Sequence, residues 1–502
     1  MNSPSRDDAG QPAPIGTAPA GPSTPLPAGF DLTPDRATTA FDGGTVLLGG
    51  SPLRLLRFSD RAAALVAQWR SGTPVRDRPA EQRLARRLVA AGMFVPTPPE
   101  AAFGRDDVTV VIPVRDRPEQ LRRLLLALQG LTCIVVDDAS SDPSTTENIA
   151  RRVGASFIGL TGNVGPAGAR NAGLQLATSA LVAFIDSDCL PTEEWLAPLL
   201  GHFNDPLVAA VAPRIVPVPA EPATTLSGYD AVRSPLDMGD QAGPVRQHSK
   251  VSYVPSAALV VRRQVTNEAF FDPALRGGED VDLVWRLGQA GWDVRYVPDS
   301  LVHHDSPGSV PSWLSRRFFY GTTAGPLALR HPGALPPVQT SAWTAGVWAL
   351  LLVRRPVLAG GVLAASVAVL ARRLTGVVHE PLKAAATIAC GGTVRSTLPA
   401  LAGLTRAWSP ALCVGLLFGR TRRAAAAALL VPAVRDWFDS GGGLNPVDYS
   451  ALHVADDVAY GTGVWVGCLR ARTLRPLIPR IALRSRTWSV RTLGQQREDG
   501  PA

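Results

Sequence analysis

The chain has 502 residues, 46% of them apolar and only 18% charged, and a net charge of +8 carried almost entirely by arginine. That length exceeds what one hydrophobic core serves and predicts two to four domains, while the low charge content points to membrane contact or an alanine-rich helical part. A disulfide-stapled or zinc-ribbon scaffold is excluded, because Cys133, Cys189, Cys390, Cys413 and Cys468 form no C-x-x-C pair and no histidine-linked spacing. The thiols read as those of a reduced, cytosolic protein, and the first residues lack a charged-then-apolar leader. The basic balance alone suits nucleic acid, anionic lipid or a phosphate-bearing substrate equally.

Residues 1–28 are mostly Pro, Ala, Gly, Ser and Thr, a composition that buries too little apolar surface to offset its ordering entropy, and they are expected to be a disordered tail. Residues 29–99 predict strands at 45–48 and Arg54–Phe58 around a Gly49-Gly50 turn. They then predict a Ser59-capped helix Asp60–Arg70, a helix 81–91 stopped by Gly92, and a closing strand at 93–95. Strand, helix, helix, strand is the pattern of a small winged-helix-like domain. It reads as an accessory module packed on its neighbour or as a peptide-recognition module. A DNA-binding role would need a base-reading face that the helix with Arg83, Arg86 and Arg87 lacks, so no nucleic-acid partner is expected.

From about 106 to 335 the pattern alternates. Val108–Val114 (VTVVIPV) is a nearly unbroken β-branched run, as a buried parallel strand requires. Pro118 opens a helix with Leu121, Leu124, Leu125 and Leu128 on one face. Strands follow at 133–136 and 156–160, then a helix at 167–177 and the strand Leu181–Ile185. The expected fold is α/β with a mainly parallel sheet, in which ligands gather at the strands' carboxyl ends.

Between 341 and 470 apolar stretches (342–353, 357–370, 384–389 and 424–434) alternate with Arg354-Arg355, Arg372-Arg373 and the group Arg420, Arg422, Arg423. Each stretch is shorter than the roughly 20 residues that span a bilayer as one helix. Such a region is either an alanine-rich soluble helical domain or a membrane-associated one. In the second case the arginines lie among anionic headgroups at the cytoplasmic face of the membrane. A basic tail, 471–502, closes the chain.

Four acidic or imidazole clusters carry chemistry. Asp137-Asp138 end the second strand, where a carboxylate can accept from a ribose hydroxyl or base N–H, or simply serve a turn. Asp186-Ser187-Asp188 follows a buried strand, and a loop there can turn both carboxylates toward one hard cation, Mg2+ or Mn2+, that bridges diphosphate oxygens. Gly277-Gly278-Glu279-Asp280 opens a helix, with Asp282 nearby; acids in a first turn satisfy the helix dipole, and one of them can also act as a general base toward an acceptor hydroxyl. His303-His304 stand at a strand end, and one of them is a candidate third metal ligand.

VTVVIPVRDRPEQL, VVDDAS, NVGPAGARNAGL, FIDSD and GGEDVDLVWRL, in that order, resemble a family 2 glycosyltransferase of the GT-A nucleotide-diphospho-sugar transferase fold. The resemblance implies an inverting hexosyltransferase. In it Pro113, Asp137, Asp138, Arg170, Asn171 and Asp186 bind the nucleotide sugar, with Asp138 on the nucleotide and Arg170 and Asn171 near its diphosphate. It further implies that Asp186, Asp188 and His304 hold the metal, Asp188 most closely; His304 rather than His303 follows from the count of six from Pro298. Asp280 matches the catalytic base and Glu279 the residue that orients the acceptor. TVLLGGSPLRLLRFS, VSYVPSAALVVRR, FFYGTTAGPLALRHP and DDVAYGTGVWVG are similar, more narrowly, to the mycofactocin-system glycosyltransferases. That implies UDP-glucose as donor, a peptide-derived redox cofactor as acceptor and a β-1,4-linked glucose chain as product. It also gives residues 29–99 a role in holding the precursor peptide or pathway proteins. Two other readings stand beside this one: a membrane enzyme acting on a polyprenyl phosphate or cell-wall glycan, and a sugar-binding scaffold with a dead transferase domain.

Overall fold

The computed structural model describes residues 18, 24–265, 270–482 and 491–493. The expected disordered tail falls largely on residues 1–17 and 19–23, and much of the basic tail on 483–490 and 494–502, outside the described residues. The chain divides into two compact units. One comprises Met1–Pro34, Gly72–Pro219 and Arg233–Ser306; the other comprises Asp35–Ser71, Ala220–Val232 and Pro307–Ala502.

The first unit is built on a nine-stranded sheet. Ser156–Gly159, Thr132–Asp137, Val108–Val114 and Leu181–Ile185 lie side by side in parallel. Every residue of Leu181–Ile185 and all but Pro113 of Val108–Val114 are buried, which is why these runs carry no polar alternation. Helix Pro118–Ala127 packs Leu121, Leu124 and Leu125 into this core.

Past Leu181–Ile185 the sheet changes character. Ala258–Arg262 runs antiparallel to it, Val208–Pro217 antiparallel to Ala258–Arg262, and Asp293–His304 parallel to Val208–Pro217. Cys189–Pro191 and Gly243–Pro244 pair antiparallel with Asp293–His304. Among the described strands four pairings are therefore parallel and four antiparallel, which corrects the expectation of a mainly parallel sheet. Antiparallel neighbours need no helical crossover, so this half leaves no strand–helix alternation to read.

The winged-helix-like reading of 29–99 is corrected in its organisation. The individual elements form, but they do not close on one another. Asp31–Pro34 pairs with Phe94–Thr97, and with helix Pro79–Ala91 these belong to the first unit. Strands Thr39–Phe41, Val46–Gly49 and Arg54–Phe58 and helix Asp60–Arg70 belong to the second. Side-chain burial accounts for the division. Val46, Leu48 and Leu55 pack with Leu374, Ala385 and Ile388, while Arg86 is buried and donates to Asp205 at 2.6 Å. An arginine weighed as a nucleic-acid contact is thus an internal anchor.

Helices of the second unit include Ala342–Leu352, Pro356–Leu374, Pro381–Gly415, Arg422–Asp439 and Pro446–Arg470; the second, third and fourth run longer than the apolar stretches predicted there. Arg372-Arg373 lie within the last turn of Pro356–Leu374, where cations suit the carbonyl end of the dipole, so they extend the helix instead of ending it. At 19 residues that helix is long and apolar enough to cross a membrane, by length and composition, which corrects the expectation that every stretch falls short.

Candidate active site

The carboxyl edge of the parallel strands carries three loops. The loop after Val108–Val114 is tied to the loop after Thr132–Asp137: the Asp116 N–H donates to Ser140 Oγ at 2.9 Å, and the Ser141 N–H donates to Asp116 Oδ1 at 2.7 Å. Pro113 lies beside Val136 in the register of these strands, at the same edge.

Asp137 and Asp138 emerge here with different duties. Both oxygens of Asp138 accept from backbone, the Val164 N–H at 2.7 Å and the Gly165 N–H at 2.9 Å, so it caps the start of helix Gly165–Leu176. Asp137 accepts from the Ser140 N–H at 2.7 Å through Oδ1, whereas its buried Oδ2 has no partner. Each Asp138 oxygen keeps a second lone pair, and Asp138 is 6% exposed where Asp137 is fully buried, so Asp138 is the more accessible of the two acids at this edge.

Arg170 and Asn171 follow on that helix, and both are engaged by protein partners. Asn171 clamps the backbone of Phe271, donating to its carbonyl at 2.7 Å and accepting from its N–H at 3.0 Å. Arg170 donates to Glu279 Oε1 at 2.9 Å and to Asp186 Oδ1 at 2.5 Å.

In the Asp186-Ser187-Asp188 loop the two carboxylates have different partners. Asp186 engages Arg170, while Asp188 engages Arg117 and lies 3.5 Å from His304 Nε2. Pairing of Cys189–Pro191 with the end of Asp293–His304 sets Cys189 opposite His304 and brings that histidine beside Asp188. Strand alternation sends His303 to the other face. Among the described residues no three His, Cys, Asp or Glu side chains form a closed metal cage. What fits a divalent cation is a two-donor half-site, Asp188 with His304, where a metal would take the place the Arg117 guanidinium now holds on Asp188. Open positions on such a half-site suit diphosphate oxygens and water. Asp305 beside it is held by Arg123 in a forked pair at 2.6 and 2.7 Å.

Helix Glu279–Gln289 begins at Gly278, whose φ of 76° lies in the left-handed region that a side chain would strain. Asp280 keeps partial exposure. Its Oδ1 accepts from the Val281 N–H at 2.8 Å and its Oδ2 from the Ser256 N–H at 3.3 Å. Burial, followed by the neighbouring Glu279 carboxylate, pushes Asp280 up from 3.8 to about 7. Asp282 is taken up structurally, accepting from Arg286 Nε at 2.7 Å.

Three contributors escaped sequence reasoning. Arg117 carries no signal beyond its place just before Pro118. Ser256 and Ala257 sit in the run VSYVPSAALVVRR: the Ser256 N–H reaches Asp280, and the Ala257 carbonyl accepts from the Asp186 N–H at 3.0 Å. That loop joins the two acidic motifs through backbone atoms, which no side-chain pattern records.

A glycosyl transferase family 2 model matches residues 109–270, the stretch that builds the parallel half of the sheet and the acidic loop. With that fold and that edge of acids, the class is a family 2 glycosyltransferase. The pre-mycofactocin glycosyltransferase of Mycobacterium tuberculosis (strain ATCC 25618 / H37Rv) is 39% identical over 476 residues, covering 91% of this chain and 99% of the relative. The chain therefore belongs to the mycofactocin-system family of these enzymes. The glycosyltransferase AglE of Haloferax volcanii is 26% identical over 210 residues, 39% of this chain and 66% of that protein. Among solved structures, the mannosyltransferase PcManGT from Pyrobaculum calidifontis aligns at a TM-score of 0.36 with 19% identity, over 68% of this chain and 90% of that one.

Proposed function

We propose that this glycosyltransferase moves glucose from UDP-glucose onto the peptide-derived mycofactocin precursor with inversion, and extends it as a β-1,4-linked chain. One observation carries the mechanism. Asp280 is a partly exposed carboxylate at a helix start whose surroundings raise it to about 7, near the pH at which a general base works best. The acceptor class is supported by the 39% identity to the pre-mycofactocin glycosyltransferase, spanning 99% of that relative.

In this reading Asp138, with Asp137 beside it, contacts the nucleotide, and Asp188 with His304 would hold Mg2+ or Mn2+, which would offset the charge that grows on the departing diphosphate. Asp280 takes the proton from the incoming hydroxyl. Hydrogen bonds from the Val281 and Ser256 N–H groups fix the direction in which its carboxylate faces. Glu279, anchored by Arg170, orients the acceptor.

The test supplies the purified chain with UDP-glucose and either the cofactor precursor or a polyprenyl phosphate, with and without EDTA. Hexose addition to the precursor that EDTA abolishes and Mn2+ or Mg2+ restores is expected. Transfer to the polyprenyl phosphate alone would replace the acceptor assignment, and transfer undiminished by EDTA would remove the metal from it.

A further inference from the structure

Arg170 lies on helix Gly165–Leu176 and is only 2% exposed. Its guanidinium forks between two motifs far apart in sequence, Asp186 in the acidic loop after Leu181–Ile185 and Glu279 at the start of helix Glu279–Gln289. It lies over the Phe271 ring, 5.5 Å from the centroid. That ring is itself immobilised, edge-on to Phe184 with centroids 5.1 Å apart and with its backbone clamped on both sides by Asn171. The fork therefore cannot swing without breaking its own support.

We propose that Arg170 is a positioning residue that sets the distance between the donor side of the site and the acceptor side. The inference rests on the transferase reading above. A planar guanidinium with two fixed N–H vectors holds both carboxylates at one separation and one angle, which a single ammonium cannot do. It also places one positive charge among Asp186, Glu279 and the adjacent Asp280, three acids that would otherwise repel one another. Asp186 engages Arg170 through Oδ1 alone, and its side chain remains 28% exposed. One acid is thus held from behind while it still faces the cleft.

The experiment compares wild type, Arg170→Lys and Arg170→Gln in the intact chain. It measures thermal unfolding, donor and acceptor KM, kcat and the pH–rate profile with UDP-glucose. Misplacing reacting groups by about 1 Å costs roughly 100-fold in rate, so both variants should lose kcat by about 10- to 100-fold with donor KM little changed. Arg170→Lys keeps the charge and so keeps the wild-type inflection. Arg170→Gln removes a cation that favours ionised Asp280, so its inflection should move to higher pH. Wild-type kcat in both variants overturns the proposal, and so does a loss confined to donor KM, which would make Arg170 an ordinary donor contact.

Should both variants unfold, Asp186→Asn, Glu279→Gln and their double variant decide. Losses in kcat well short of the product of the single losses support coupling through Arg170, and multiplicative losses overturn it. Absence of turnover in the wild type is a separate result that removes the transferase reading itself.

Discussion

Asp280 and Asp188 are both acids at the carboxyl edge, and their surroundings separate their duties. Burial, followed by the neighbouring Glu279 carboxylate, raises Asp280 from 3.8 to about 7. A base must be ionised to accept a proton, so wild-type turnover should climb with pH through about 7 and level off above it. Asp280→Asn should lower kcat roughly 10²- to 10⁴-fold while UDP-glucose binding, read by calorimetry, is retained. Asp188→Ala should instead weaken Mn2+ and donor binding together. Linkage gives a second check on Asp280. Its raised value means the folded state holds the proton more tightly than the unfolded chain, so the stability this contributes is present below 3.8 and lost as pH rises through about 7. Asp280→Asn should consequently raise Tm at about pH 8 and leave it nearly unchanged at about pH 4. Asn171 teaches the complementary lesson. The GARNAG motif marks it as a site residue, yet both ends of its amide hold Phe271, because a buried amide must satisfy its donors and acceptor wherever the fold supplies partners.

At the scale of elements, the second unit depends on a close helix crossing. Helices Val310–Thr322 and Pro446–Arg470 approach at Gly321 and Gly463, where a Cβ on Gly463 would strike the Phe318 carbonyl and one on Gly321 the Tyr460 carbonyl. Backbone cannot yield as a flexible side chain does, so Gly463→Ala should destabilise by about 1–3 kcal/mol and lower Tm by several degrees in a calorimetric scan. A buried ion pair joins the same two helices, with Arg317 Nε 3.5 Å from Asp456 Oδ1, which favours one register between them. Elements whose signals are local were legible from the sequence. Ser59 caps Asp60–Arg70, Gly92 ends Pro79–Ala91 in a left-handed turn, and Val108–Val114 and Leu181–Ile185 fall at the predicted residues. Strands Val208–Pro217 and Ala258–Arg262 were not predicted as elements, because their partners lie far away in the chain.

At the scale of the whole molecule, charge and apolar exposure coincide. Eleven arginines and lysines face three carboxylates within 342–439, so this stretch alone carries a net +8, equal to that of the entire chain. The turn between Ala342–Leu352 and Pro356–Leu374 exposes Leu352 at 84% and Val357 at 87%, flanking Arg354 and Arg355. We propose that this turn docks on a bilayer containing anionic lipid. The intact chain should float with vesicles containing phosphatidylglycerol and not with phosphatidylcholine alone. Leu352→Asp with Val357→Asp should abolish flotation, and undiminished flotation of that variant would argue against the turn as anchor.

The sequence by itself determined the α/β class, the order of the acidic motifs and the place of Glu279 and Asp280 at a helix start. Each of these depends on hydrophobic periodicity, a capping residue or a glycine turn that acts within a few residues. Tertiary structure alone decided that Asp137 and not Asp138 keeps an unpartnered oxygen, that Asp186 and Asp188 face different arginines, and that residues 29–99 divide between two units. Those outcomes depend on which buried polar atoms find partners and which apolar faces find one another across tens to hundreds of residues, and a linear pattern holds no record of such pairings.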